Sequence, residues 1–203
     1  MIILASHPAA PTFYGTTKVI MFALPLLGVW LGISCRPLFK GGGVKDIFLG
    51  IALGAFFFLA LFGIYTLFPT WFADAAKEAL PRAATFGIGT PTTFLMAGVL
   101  FSILHSFFEE YYWRWFVFGG LTSYVSEWAA IVLSGVAFSL HHILILLPFV
   151  SLPIALLGGA SVGAVGSLWA FIYNKRKNLL APWISHIAAD LAIIYVIYQL
   201  LFP

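Results

Sequence analysis

Six apolar runs, each close to the roughly 20 residues that cross a hydrocarbon core about 30 Å thick, leave this chain few folds. They fall at residues 19–35, 47–68, 93–120, 126–147, 154–173 and 182–203. A bilayer offers no water to backbone amides, so a spanning segment has to satisfy its own hydrogen bonds, and runs of this length do so as α-helices. The fold class expected is all-α: a polytopic membrane helical bundle of about six transmembrane helices. With 62% hydrophobic and 8% charged residues, against about 25% charged in ordinary soluble domains, nothing is left over for a separate soluble domain. The whole chain, 1–203, is read as a single membrane domain, an integral multi-pass protein whose first partner is the lipid bilayer.

The breaks between runs carry their own signals. Two prolines and several polar residues make 1–17 read as a loose tail, and Gly41, Gly42 and Gly43 read as a flexible turn. Residues 70–92 mix charges with two prolines and read as a loop with a short surface helix near 73–80. Residues 174–178 read as a basic loop, and Pro182 suits the first turn of the last helix. Lysine and arginine gather in the first and fifth loops, at Arg36, Lys40 and Lys45 and at Lys175, Arg176 and Lys177, which places those loops in the cytoplasm and both termini outside it. The small-residue pairs Gly28/Gly32, Gly50/Gly54 and Gly159/Gly163 are read as packing positions within the monomer. The net charge of +3 comes from loop residues, with no basic patch interleaved with aromatics, so no nucleic-acid partner is expected. Cys35 is the sole cysteine, which excludes an intrachain disulfide and a cysteine metal cluster. The segment before it lacks a basic n-region, and lipidation there is not expected.

Against this background three charges stand out inside the third run: Glu109, Glu110 and Arg114. Ionisable residues at membrane depth are costly and usually mark function. Between residues 99 and 118 there is no glycine or proline to stop the helix, so at 1.5 Å per residue Glu109 sits about 15 Å from Gly119, inside the apolar layer. Glu110 and Arg114 are one turn apart and can pair, which lowers the cost of burying both. Glu109 points about 100° away and needs another partner. His142 on the fourth run lies at a comparable depth, and His186 and Asp190 share one face of the last helix at i, i+4. A carboxylate, two imidazoles and a supporting acid can carry out general-base hydrolysis, the carboxylate taking a proton from water and an imidazole donating to the developing oxyanion. Taken singly, a buried Glu–Arg pair also serves to staple helices, and a membrane histidine to bridge them.

These residues, in the order Glu109-Glu110-x-x-x-Arg114, Phe138-x-x-x-His142 and His186-x-x-x-Asp190 on three membrane helices, resemble the CPBP family, also called type II CAAX prenyl endopeptidase-like or Abi proteins. Asp190 stands where the family has asparagine or aspartate. The resemblance places the catalytic core at 93–202 and implies an intramembrane endopeptidase of glutamic type, acting on a membrane-associated protein or peptide tail by CAAX-type processing, maturation or removal of a sorting signal. It implies that Glu109 activates water with His142, that His186 and Asp190 shape the oxyanion side, and that Glu110 and Arg114 support the helix or touch substrate. No cofactor is required in that scheme. The family has also been described as metalloproteases, and Glu109, His142 and His186 are then the alternative zinc ligands, with water in the fourth position. A prokaryotic inner or plasma membrane is the expected location, and the oligomeric state is left open.

His105, one turn before Glu109, is outside the family pattern and reads first as a chance neighbour, second as a modulator of Glu109. His141 faces about 100° from His142 and reads as structural. Tyr111, Tyr112, Trp113 and Trp115 read as an aromatic girdle or packing set before a substrate contact. The competing functional class is a non-catalytic immunity or scaffold protein that keeps the same buried cluster for helix packing. A transporter is disfavoured by the lack of an internal repeat or matched interrupted helices.

Overall fold

The computed structural model describes residues 10–33, 37–72, 87–147 and 149–202. Cys35 and the surface helix expected near 73–80 lie outside the described residues. The described part is helical: α1 (Ala10–Trp30), α2 (Val44–Leu67), α3 (Pro91–Glu110), a π-helical stretch (Tyr111–Phe118), α4 (Gly119–Leu121), α5 (Glu127–Leu146), α6 (Leu152–Arg176) and α7 (Leu180–Leu201). Five spans are long and apolar enough to cross a membrane, with α3, the π stretch and α4 forming one of them; α1 adds a shorter apolar segment, Val19–Trp30.

The ends of these helices follow local chemistry. Ser126 caps α5 by accepting from the Ala129 amide at 3.3 Å, and Pro153 lies in the first turn of α6, where its missing N–H costs nothing. Lys177, in left-handed conformation with φ 54°, closes α6, so the helix takes in residues 174–176, expected as loop. At the N-terminal side the expected loose tail is already helical from Ala10, because Pro11 falls in the first turn, where proline is tolerated. Gly32 at φ 90° follows the end of α1 and stops it short of residue 35.

The largest departure is the π-helix. The third run was expected to continue as α-helix through the acids, and the α-helix stops at Glu110. Beyond it the Gly119 amide reaches back five residues to the Arg114 carbonyl. Six of the eight residues from Tyr111 to Phe118 are aromatic, and the wider turn spreads their rings: Tyr111 stacks on Trp115 at 4.9 Å, and Tyr112 meets Phe116 at 6.0 Å. Such π segments are rare and occur mostly at functional positions.

The described chain divides into two compact units. The first contains residues 1–41 and 108–179, hence α1, the π stretch, α4, α5 and α6. Its interior is built on Phe118, Ala130, Ile131, Ala170, Tyr173 and Leu179. Helices α5 and α6 approach closely because a Cβ on Gly163 would stand 2.6 Å from Ser139 Cβ and 3.0 Å from the Gly135 carbonyl. At one end, Asn174 donates to Glu127 at 3.0 Å, Tyr173 donates to the Pro37 carbonyl at 2.9 Å, and Leu38 and Lys40 exchange backbone hydrogen bonds with Leu179 and Lys177. These bonds tie the segment after α1 to the end of α6.

The second unit contains residues 42–107 and 180–203, hence α2, most of α3 and α7. Here α2 lies against α7 through Gly50 and Gly54: a Cβ on Gly54 would stand 2.7 Å from Ala188 Cβ, and one on Gly50 would stand 2.8 Å from Ile184 Cβ. Gly98 of α3 meets Ile194 in the same way, and Trp183 donates to the Ile103 carbonyl at 3.1 Å. The small-residue positions at Gly50/Gly54 and Gly159/Gly163 therefore serve packing within the monomer, as does Gly28, which faces Phe116.

A Gly54→Val substitution is expected to destabilise by about 1–3 kcal/mol, the usual cost of overpacking a tight contact. Gly63→Ala, at a site with nothing within 4 Å, is expected to be neutral or slightly stabilising. Thermal unfolding of the two variants in the same detergent checks the contrast.

Candidate active site

Burying Arg114 is the hardest local problem in the first unit, and its solution sets the site. The side chain leaves the π stretch with 1% exposure. Its Nε lies 3.2 Å from Glu110 Oε2, on a residue with 0% exposure. The guanidinium plane is covered by the Phe138 ring at 4.3 Å and the Trp169 ring at 4.8 Å, so α5 and α6 each supply an aromatic face to the cation. Gly166 makes room for this: a Cβ there would stand 2.6 Å from Phe138 Cδ1 and 3.3 Å from Arg114 Nη2.

Phe138 is also the residue whose carbonyl holds His142. His142 Nδ1 lies 3.0 Å from the Phe138 carbonyl oxygen. A carbonyl only accepts, so Nδ1 carries the proton, and in the neutral ring Nε2 is the acceptor. That Nε2 faces Glu109 Oε2 at 3.9 Å. His141 Nε2 faces the other oxygen, Oε1, at 3.7 Å. Glu109 itself is 1% exposed. The carboxylate thus lies between two imidazoles whose rings are 5.3 Å apart and inclined at 81°.

Sequence reasoning missed His141. On an ideal helix it diverges from His142 by about 100°, but a carboxylate presents two oxygens, and two adjacent rings on one helix can reach one each. The doublet His141-His142 beside a buried acid was the available signal.

A cavity of about 310 Å³ opens on this carboxylate, lined by Val19, Met21, Phe22, Phe108 and Glu109. Helix α1 forms one wall, where Phe22 packs edge-on against Phe108 at 5.4 Å and near Tyr111 at 6.1 Å. Glu109 is the one ionisable group among the lining residues.

In the second unit His186, 4% exposed, points Nε2 at Asp190 Oδ1 at 3.7 Å, one helical turn away. His105, considered in the sequence beside Glu109, has its ring 6.3 Å from that of His186 and stacked on Phe101 at 4.5 Å. The second unit therefore brings together two imidazoles and a carboxylate of its own.

A tetrahedral zinc needs three donors within about 2.0–2.2 Å of one point. Among the described residues no group of three His, Cys, Asp or Glu side chains is arranged to hold a metal ion. Glu109 with its two facing imidazoles is spaced more widely than a closed ligand set.

Compared with models of protein families, the chain matches "Type II CAAX prenyl endopeptidase Rce1-like" over residues 90–192, just over half of its 203 residues. The matched stretch contains Glu109, Glu110, Arg114, Phe138, His142, His186 and Asp190, and α1 and α2 precede it. A search of curated proteins found no match, nor did a search of solved structures. Together with the apolar helices, the family makes this an integral, multi-pass membrane protein.

Removing one partner of a buried ion pair strands the other, at about 3–5 kcal/mol. Arg114→Met is expected to destabilise by that order, and adding Glu110→Gln to recover a large part of it. Unfolding of both variants, measured beside wild type, checks the recovery.

Proposed function

Because the chain belongs to the Rce1-like family of type II CAAX prenyl endopeptidases, we propose that it hydrolyses a peptide bond in a membrane-associated protein or peptide tail, with Glu109 as general base. The observation that carries this reading is the 1% exposed Glu109 carboxylate, with an imidazole Nε2 before each oxygen. Separations of 3.7 and 3.9 Å exceed a direct hydrogen bond, and at this spacing one water can join Glu109 to an imidazole. Such a water donates one proton to Glu109 Oε2 and the other to His142 Nε2, and turns a lone pair outward. As its oxygen adds to the scissile carbonyl carbon, Glu109 takes a proton. Glu109 then delivers that proton to the amide nitrogen as the C–N bond breaks, leaving a new carboxyl terminus and a free amine.

The family resemblance assigns His186 and Asp190 to the oxyanion side. Asp190, whose Oδ1 faces His186 Nε2 at 3.7 Å one turn away, favours the tautomer with a proton on that nitrogen through its charge. Glu110 and Arg114 act as support: they hold Phe138, and with it the carbonyl that orients His142. The scheme uses no metal. The apolar walls of the cavity at Glu109 suit an apolar substrate side chain next to the scissile bond, as expected for a tail lying in a bilayer. Prenylated tails and C-terminal sorting signals both have this character.

The test is cleavage of candidate membrane-tail peptides by purified protein at matched, folded amounts. Glu109→Gln is expected to lower turnover about 10²- to 10⁴-fold, the range for loss of a general base, while melting near the wild-type temperature. A chelator is expected to leave wild-type cleavage unchanged. Loss of cleavage with chelator would replace this scheme with a metal one, and cleavage by Glu109→Gln at the wild-type rate would remove it. Peptides that wild type binds without cutting would point instead to a non-catalytic protein of the same fold.

The cavity gives a separate expectation. Met21→Trp, which fills it from α1, is expected to raise KM several-fold for peptides with a large apolar residue beside the cut, and to change it little for those with alanine there. Steady-state kinetics on a paired peptide series reads the difference.

A further inference from the structure

The scheme above uses one imidazole of α5, and the structure places two at the carboxylate. We infer that His141 is a positioning residue for Glu109: its Nε2–H, aimed at Oε1 across 3.7 Å, holds that oxygen through one water and biases the rotation of the carboxylate, so that Oε2 is presented to the attacking water and to His142. The inference rests on Glu109 being the general base.

The two imidazoles are not equivalent. His142 has its Nδ1 committed to the Phe138 carbonyl at 3.0 Å, so its Nε2 is the acceptor in the neutral ring. It can accept a hydrogen bond from the water but, in that form, has no proton to offer a carboxylate oxygen. His141 Nε2 is buried, finds no hydrogen-bond partner within ordinary distance among the described residues, and lies nearer to the carboxylate, 3.7 Å from Oε1. A buried imidazole nitrogen in that position is satisfied by carrying a proton towards the carboxylate, the strongest acceptor it faces. The ring is held from the other side by Trp113, centroid to centroid 5.5 Å, and by His142 at 5.3 Å, which limits its swing. Glu109 therefore has a donor facing one oxygen and an acceptor facing the other, and that asymmetry defines which oxygen works as the base.

His141 lies next to the histidine of the Phe138-x-x-x-His142 pattern and is no part of it. Its role is a property of this chain, which carries the doublet.

The experiment compares wild type, His141→Phe, His141→Gln and Glu109→Gln in kinetics, thermal unfolding and infrared spectroscopy. Glutamine keeps an N–H donor at similar reach, whereas phenylalanine keeps the ring and loses the donor. The Glu109 carboxylate stretch is assigned by its loss in Glu109→Gln. Expected are a kcat about 10- to 100-fold lower in His141→Phe, the scale of a small misplacement of a reacting group, with KM within twofold and melting temperature retained. His141→Gln should recover most of kcat. The carboxylate band should shift in His141→Phe and return towards wild type in His141→Gln. Wild-type kcat and an unshifted band in His141→Phe would overturn the inference. So would equal loss in both variants with a lowered melting temperature, which is the behaviour of a packing residue. If Glu109→Gln itself cleaves normally, the general-base reading has failed; the infrared shift still reports whether His141 holds the carboxylate.

Discussion

A guanidinium with about 1% exposure inside an apolar helical unit is the constraint on which the rest of the site depends. Removing such a cation from water costs several kcal/mol even after relaxation, and the protein offsets that cost from three directions. Glu110 supplies the counter-charge at 3.2 Å, Phe138 a ring face at 4.3 Å and Trp169 a second at 4.8 Å. Each partner sits on a different element, so satisfying Arg114 locks the π stretch, α5 and α6 into one arrangement. Gly166 belongs to the same solution, since a side chain there would displace the Phe138 ring. Once Phe138 is fixed, its carbonyl and the histidines one turn later are fixed as well. The place of His141 and His142 beside Glu109 is thus a consequence of burying the arginine.

The π-helix contributes to the same end by geometry. An α-helix through residues 111–118 would crowd six aromatic side chains around 3.6 residues per turn. The wider turn separates the rings and lets Tyr111 and Trp115 stack while Trp113 reaches Phe138 and His141. Glu109 lies in the last ordinary α-helical turn and Arg114 in the widened one. The change of helix type falls just after two acids of which one faces the imidazoles of α5 and the other the guanidinium.

Much of this was legible in the sequence, and the parts that were not have physical reasons. Acids and an arginine embedded in apolar sequence pointed to the third span as the candidate site, and all three are buried there, because such residues are expensive inside an apolar layer whatever surrounds them. The starts of α5 and α6, expected at residues 126 and 154, fall within two residues of the observed Glu127 and Leu152, because the change from turn to apolar run is a local signal. The start of α1 was hidden because prolines and threonines, read as tail residues, are all tolerated in a first turn or in a packed helix. The π-helix was hidden because its cause is the packing of rings against other helices. A sequence without those neighbours reads as ordinary helix. His141 was hidden by treating direction on an ideal helix as if it decided contact, when the target was a two-oxygen carboxylate and the reaching groups were rings.

The two adjacent glutamates show how neighbouring residues of one type take different work from their surroundings. Glu110 faces a guanidinium, which has N–H donors and no acceptor, and serves it as a counter-charge at 3.2 Å. Glu109 faces imidazoles, each of which has one ring nitrogen that donates and one that can accept. A base must take a proton and return it within one turnover, so its neighbours need to adjust to both states. Imidazoles allow that adjustment and a guanidinium does not. The proposal of Glu109 as base and Glu110 as support therefore rests on what each carboxylate faces, a distinction that the bare pair of acids in the sequence does not carry.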